Sequence, residues 1–291
     1  MSKISESKRR ELAEGRLKRR ALKKLNNFKY RKSPYNRPRI LYFDIETSPC
    51  LAYVWGCGKQ FVGIKQLKKE RKIISIGYMF EDDSKVKVLK MDITKHKIHR
   101  FDDNADKKML IQFVKIYNSA HLVVAHNGRR FDRARIRARL VKYGLPDLDT
   151  SIPFDDSYTM TKEIDFTSHK LDHLGRYLET GQKDQIDYSV WTKIMEGCKS
   201  ALTEMCNYMK TDVIRLRAAY RRLKPYAKSK LNLSAFHNQA EMCPCCGSHS
   251  FRKDCIRYTN GGQYQSYKCK DCGKRFQDGR NLIVKSSKIK R

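Results

Sequence analysis

The chain has no apolar run approaching the roughly 18 residues that a membrane-spanning helix needs. Its first residues lack the apolar core of a secretory leader. An integral membrane protein and a secreted one are therefore not expected, and the cytoplasm is. No internal repeat is visible. Acidic residues are scarce: 31 Asp and Glu stand against 63 Lys and Arg, leaving a formal net charge of +32. So large an excess makes a polyanion the first partner to consider, because Lys and Arg gain free energy by displacing counterions condensed on nucleic acid. An anionic membrane surface is the second.

What is present suffices for a core. Of 291 residues, 40% are hydrophobic, which excludes global disorder. The length allows one good-sized domain with a small module. Residues 1–39 carry 15 Lys or Arg and three Glu. Leu12, Leu17, Leu22 and Leu25 are too sparse there to build a core. A basic arm over 1–38 is expected, either solvated or ordering on nucleic acid. Lys18-Arg19-Arg20 also fits a nuclear signal, a pattern that is cheap in so basic a chain.

Hydrophobic patterning organises the middle. Buried strands are expected from Arg39 to Phe43 and from Ile73 to Phe80, with a third from Lys85 to Leu89 after a hairpin turn at Glu81–Ser84. Leu110, Phe113, Val114 and Tyr117 share a helical face. His121 to Ala125 reads as a strand. Arg133 to Tyr143 reads as a helix stopped by Gly144 and Pro146. Shorter helices are expected over Lys170–Leu178 and Ser189–Met195. A long helix from about Ala201 to Leu223 ends before Pro225. The order β-β-β-α-β-α-α-α indicates an α/β fold, a mixed sheet flanked by helices. The domain spans 39–226, followed by a linker over 227–240.

Four acids break this pattern. Asp44 and Glu46 extend the first strand, and residues i and i+2 share a face. Two carboxylates after an apolar run repel each other unless a cation lies between them. Oxygen ligands suit magnesium or manganese. In the long helix, Met205, Tyr208, Met209, Asp212, Leu216, Ala219, Tyr220 and Leu223 form one stripe, with Asp212 its charged member and Tyr208 one turn earlier. Asp132 follows the strand at 121–125, near a helix start. Taken singly, Asp132 is also a plausible helix cap, and Asp212 a plausible partner for an arginine.

Together, Phe43-Asp44-Ile45-Glu46-Thr47, His126-Asn127-x-x-x-Phe131-Asp132 and Tyr208-x-x-x-Asp212 resemble the three motifs of DEDD exonucleases, in the tyrosine subclass that includes polymerase proofreading domains and ribonuclease D. The run from Ile40 through Trp55-Gly56 also resembles stand-alone exonuclease-like proteins of bacteriophages, some described as polymerase exonuclease subunits. The resemblance covers about residues 39–226. It implies a ribonuclease H-like fold and 3′-to-5′ removal of nucleotides, favouring DNA over RNA. It also implies two catalytic Mg²⁺ or Mn²⁺ ions about 4 Å apart. Asp44, Glu46 and Asp212 would contact one metal, Asp44 would bridge to the second, and Asp132 would act on the second through water. Tyr208, a phenol of reference pKa about 10, would orient the attacking water. A separate DNA polymerase would be the partner for proofreading, in the host cytoplasm if the chain is viral. A ribonuclease of the same superfamily, a structure-selective endonuclease and a non-catalytic nucleic-acid-binding accessory protein are the alternatives.

Other residues near these motifs have blander readings. His126 and Asn127 are expected to fix the strand-to-helix turn rather than meet substrate. Arg129, Arg130, Arg133, Arg135, Arg137 and Arg139 are expected to be mostly solvated, with one or two on phosphates. Trp55 is expected in the aromatic core, with stacking on a base as the alternative.

Ten cysteines are unevenly placed, six of them between Cys243 and Cys272. Cys243-x-x-Cys246-Gly and Cys269-x-x-Cys272-Gly are paired knuckles separated by 22 residues. Four thiolates make a closed tetrahedral zinc site. Cys245 and Cys255 leave ligand exchange with Cys246 open, although Cys243 and Cys246 have the better spacing. Tyr258 to Tyr264 reads as a hairpin between the knuckles. The whole resembles a zinc ribbon over 241–276 holding one structural Zn²⁺, followed by a basic tail over 277–291. Its basic and aromatic residues are either a solvated surface or a grip on nucleic acid.

Overall fold

A computed structural model describes residues 38–97, 102–181, 186–227, 231–236 and 242–283. The expected basic arm, except Pro38, lies outside these residues, as do much of the linker and the last eight residues.

The strands are β1 Ile40–Thr47, β2 Leu51–Ala52, β3 Leu67–Lys69, β4 Ile73–Phe80, β5 Lys87–Lys90, β6 Leu122–Ala125, β7 Phe154–Asp156, β8 Phe251–Thr259, β9 Gly262–Cys269 and β10 Arg275–Asn281. The helices are α1 Lys107–Tyr117, α2 Asp132–Tyr143, α3 Ser157–Thr161, α4 Leu171–Tyr177, α5 Ser189–Met195, α6 Lys199–Leu223 and α7 Leu233–Phe236. The main sheet has the order β5-β4-β1-β6-β7. β1 runs antiparallel to β4 and parallel to β6. This is the mixed sheet flanked by helices that the patterning predicts.

β1 is central because both its faces are apolar. Leu41, Phe43 and Ile45 enter one core with Phe113, Tyr117, Ile136 and Leu140. Phe43 and Phe113 place their ring centroids 5.2 Å apart. Ile40 and Tyr42 enter the opposite core, under Met209, Val213, Leu216 and Tyr220 of α6. Strand alternation carries that second face onward to Asp44 and Glu46. Two carboxylates thus continue an apolar stripe that lies beneath a helix.

Gly77 sets how near that helix comes. It pairs with Asp44 across β1 and β4. A methyl group there would collide with the side chains of Met209 and Val213. The missing side chain lets α6 sit close to the sheet at the level of Asp44. Elsewhere, α2 ends at Gly144 in the left-handed region, with φ of 59°, where glycine is favoured.

Several features differ from the sequence reading. β7 and α3 were not expected, since three-residue strands leave no period to read. Trp55 is not in the core: it is 100% exposed. It lies between β2 and β3, which pair with each other rather than with the main sheet. Arg139 is not solvated either. Its guanidinium donates to both oxygens of buried Asp106, each at 2.8 Å. Arg137 pairs with Asp147 at 2.6 Å, while Arg129 and Arg133 lie over the Phe154 ring. Within 227–240, α7 forms a short helix whose Leu233 N–H donates to Pro244 O. The third strand of the C-terminal module runs to Asn281, past residue 276. No helix among the described residues is long and apolar enough to cross a membrane.

Gly77→Ala is expected to destabilise the protein by about 1–3 kcal/mol, the usual cost of overpacking. Urea unfolding would measure it; an unchanged midpoint would show that α6 is free to move outward.

Candidate active site and cysteine cluster

Asp44 from β1, Asp132 from α2 and Asp212 from α6 line one cavity of about 380 Å³. Three chain segments separated by roughly 80 residues each therefore meet at one place. Glu46 lies one pleat farther along the same face of β1, half-buried and opposite Ser75. Tyr208 is buried one turn before Asp212. The lining of this cavity includes neither of these two.

Asp132 is 1% exposed. It is the first residue of α2, yet its carboxylate does not cap that helix. Oδ1 instead accepts the Ile45 N–H at 3.1 Å, between the two acids of β1. Burial first, and then the adjacent Asp44 carboxylate, push the Asp132 acid well above the usual carboxylate range. The two side chains are close enough to hydrogen-bond to each other. Such a pair holds a proton between them or needs a cation.

Asp212 has a partner within its own helix. Arg215 Nη1 donates to Oδ1 at 3.1 Å, and both residues are buried. The ion pair orients one carboxylate oxygen and leaves Arg215 in the cavity wall. The arginine one turn on is thus a site residue that the sequence reading did not single out. Lys170 and Asp172 also line the cavity; nothing in their local pattern marks them.

The turn carrying Asp132 is fixed by a residue the sequence reading missed. Asp156 accepts from Asn127 N at 2.8 Å, Arg129 N at 3.1 Å and Tyr158 N at 3.1 Å. Asn127 adopts φ of 59°, a left-handed conformation that asparagine tolerates. His126 Nδ1 meets Ser157 Oγ at 2.9 Å. Burial lowers the His126 pKa, so the ring is neutral near pH 7. Asn127 thus fixes the turn, as its sequence position implies, while both residues also border the cavity. The signal for Asp156 was present: Asp155 and Asp156 follow Phe154, the same acid-after-apolar pattern that marks β1.

The donor set suits hard divalent cations. Only oxygens face the cavity from the three acids, and the strained Asp44–Asp132 pair is relieved by positive charge. These acids ring the cavity rather than converging on a point. Among the described residues, one set of three or more ligating atoms lies within 4.8 Å of one another: Cys243, Cys246, Cys269 and Cys272.

In that cluster the sulfurs of Cys243 and Cys272 are 3.7 Å apart, and those of Cys246 and Cys269 3.6 Å. Burial, with the Cys272 sulfur adding to it, pushes the Cys243 thiol up to about 11. A metal that binds thiolates would favour the ionised form of Cys243 against this burial. Cys245 is buried beside the cluster but is outside the set, and Cys255 is exposed on β8. A three-stranded sheet, β10-β9-β8, carries the second knuckle, with the hairpin turn at Asn260-Gly261. The arrangement is consistent with a zinc ribbon.

In the metal-free protein, the raised Asp132 pKa gives a signed expectation. The folded chain holds that proton more tightly than the unfolded chain does. Its stabilising contribution is complete below the ordinary carboxylate pKa of about 4 and is lost as pH rises through the folded value. Wild type in chelator should therefore lose stability relative to Asp132→Asn as pH rises above the ordinary carboxylate pKa of about 4. Parallel urea-midpoint curves for the two proteins would contradict the crowded-acid geometry.

No curated protein matches the chain. Among solved structures, a family B DNA polymerase from the hyperthermophilic archaeon Pyrobaculum calidifontis superposes with a TM-score of 0.46 at 14% identity. The match covers 79% of this chain and 32% of the polymerase, so the chain spans about a third of that protein's length. The family model of the RNase H superfamily matches residues 41–224, from β1 to the end of α6. These bounds enclose all three acid-bearing elements, and the chain belongs to the RNase H superfamily.

Proposed function

We propose that the protein is a metal-dependent nuclease of the DEDD tyrosine subclass that removes nucleotides from 3′ ends, with DNA as its favoured substrate. The observation that carries this reading is the meeting of Asp44, Asp132 and Asp212 in one cavity. The three motifs that hold them, with Tyr208 one turn before Asp212, supply the subclass and polarity by resemblance.

Asp44, Glu46, Asp132 and Asp212 would hold two magnesium or manganese ions, which supply the charge that activates water and steadies a leaving 3′-oxygen. The chain's own groups do the positioning. The Ile45 amide fixes Asp132 against β1. Arg215 holds one oxygen of Asp212. Tyr208, buried on the same face of α6, orients the attacking water through its hydroxyl. Lys170, at the cavity wall, is placed to meet a phosphate oxygen. The four clustered cysteines would hold one structural zinc. A separate polymerase as partner follows from the resemblance alone.

Digestion of 3′- and 5′-labelled DNA and RNA with magnesium, manganese or chelator tests the reading. Single nucleotides should leave the 3′ end only when metal is present. Asp44→Ala and Asp212→Ala should each reduce the rate by at least about 10²-fold, since each removes transition-state charge stabilisation. Tyr208→Phe should cost up to about 10²-fold through misplaced water. Full activity in either Asp variant would reject the assigned chemistry, and internal cleavage would favour an endonuclease.

Metal analysis of the purified chain should find about one zinc per molecule, the stoichiometry of a four-thiolate site. Cys269→Ser should lose the zinc and lower the thermal midpoint. Retention of zinc in that variant would place the ion elsewhere.

A further inference from the structure

The excursion between β1 and β4 exposes large apolar side chains that no core requires. Trp55 is 100% exposed, Phe61 93%, Ile64 84% and Tyr53 73%. Soluble proteins do not gather such side chains at one place without use. The stem beneath them is well fixed. Leu51 pairs with Lys69, and Ala52 with Leu67. Tyr53 N–H donates to Gln66 O at 3.0 Å, and Gln66 Nε2 returns a bond to Tyr53 O at 3.2 Å. Lys69 and Lys72 both pair with Asp103, at 3.0 and 3.3 Å. The aromatic tip is therefore carried on an anchored stalk.

Charge identifies the partner. Lys59, Lys65, Lys68 and Arg71 are exposed among these apolar residues, with Glu70 the single acid from Leu51 to Lys72. Protein-binding patches are depleted of lysine. Aromatic faces interleaved with lysine suit a nucleic-acid strand, whose bases stack while its phosphates are neutralised. Placement agrees. The stalk leaves the sheet at the end of β1 that carries Asp44 and Glu46. A groove of about 380 Å³ opens at its foot, lined by Thr47, Pro49, Cys50, Arg71, Tyr188 and Trp191 among others.

We propose that the Leu51–Lys69 hairpin is a stacking platform for a single nucleic-acid strand, with Trp55 and Phe61 against bases and Lys59, Lys65 and Lys68 on phosphates. The inference rests on the nuclease reading for its substrate class. It adds a strand-holding surface outside the acid-lined cavity.

The chain has two tryptophans, so Trp191→Phe leaves Trp55 as the sole reporter. If that variant folds poorly, the difference between wild type and Trp55→Leu reads the same signal. A single-stranded oligonucleotide, added in chelator to prevent cleavage, should quench Trp55 emission saturably. Trp55→Ala and Phe61→Ala, with unchanged thermal midpoints, should each weaken oligonucleotide binding about five- to a hundred-fold. Replacing Lys59 and Lys65 by Gln should flatten the salt dependence of log K by about 0.7 per lost phosphate contact.

Unquenched emission with unchanged affinity in both aromatic variants would overturn the proposal. So would a dimer, seen by sedimentation, that those variants dissolve without affecting oligonucleotide binding. The two readings fail separately. Quenching by an oligonucleotide that the wild type never cleaves would sink the nuclease and keep the platform. Metal-dependent cleavage with no quenching would do the reverse.

Discussion

The site depends on one forced neighbourhood. Asp44 and Asp132 belong to different elements, yet the Ile45 amide draws the Asp132 carboxylate against the strand that bears Asp44. Burial of Asp132 limits how far water can screen their repulsion. A folded chain keeps such a pair only by proton or cation. That single bond, from a β1 amide to the first residue of α2, decides where positive charge is wanted. The remaining site residues are arranged around that demand.

The fold supplies the neighbourhood by stacking it at the sheet's centre. β1 has apolar residues on both faces up to Phe43, so it must be covered on both sides. The residues that follow inherit that coverage whether or not they are apolar. Gly77, opposite Asp44, lets α6 settle close enough for Asp212 to reach the same cavity. Asp156 does the equivalent work at the other edge, where it gathers three backbone amides and fixes the turn before α2. The geometry of the acid-lined cavity is a by-product of core packing and of two well-placed structural residues.

Much of this was legible, and the boundary of legibility has physical causes. The stripe from Met205 to Leu223 is buried as its period requires, and Asp212 stands within it. The acids of β1 were visible because they interrupt an apolar run. β7 was hidden because three residues show no alternation. Arg215 was hidden because an ion pair at i+3 looks like any solvated pair until its burial is known. Arg139 shows the same limit, since only the fold reveals that Asp106 lies in the core to receive it. Trp55 shows the opposite error. Size and hydrophobicity argue for burial, but a residue on a stalk paired only with itself has no core to enter.

The two clusters of acidic and cysteine side chains differ in their surroundings. Four cysteine sulfurs lie within 4.8 Å of one another. A four-thiolate set of this kind is the donor pattern of structural metal sites. The carboxylates instead border an open space of about 380 Å³, shared with a lysine and an arginine. An acid-lined space with cations at its rim can accept a phosphate only if further positive charge offsets the acids. On the proposed nuclease reading, anionic substrate and divalent metal would be thermodynamically linked at this cavity, each binding better in the presence of the other.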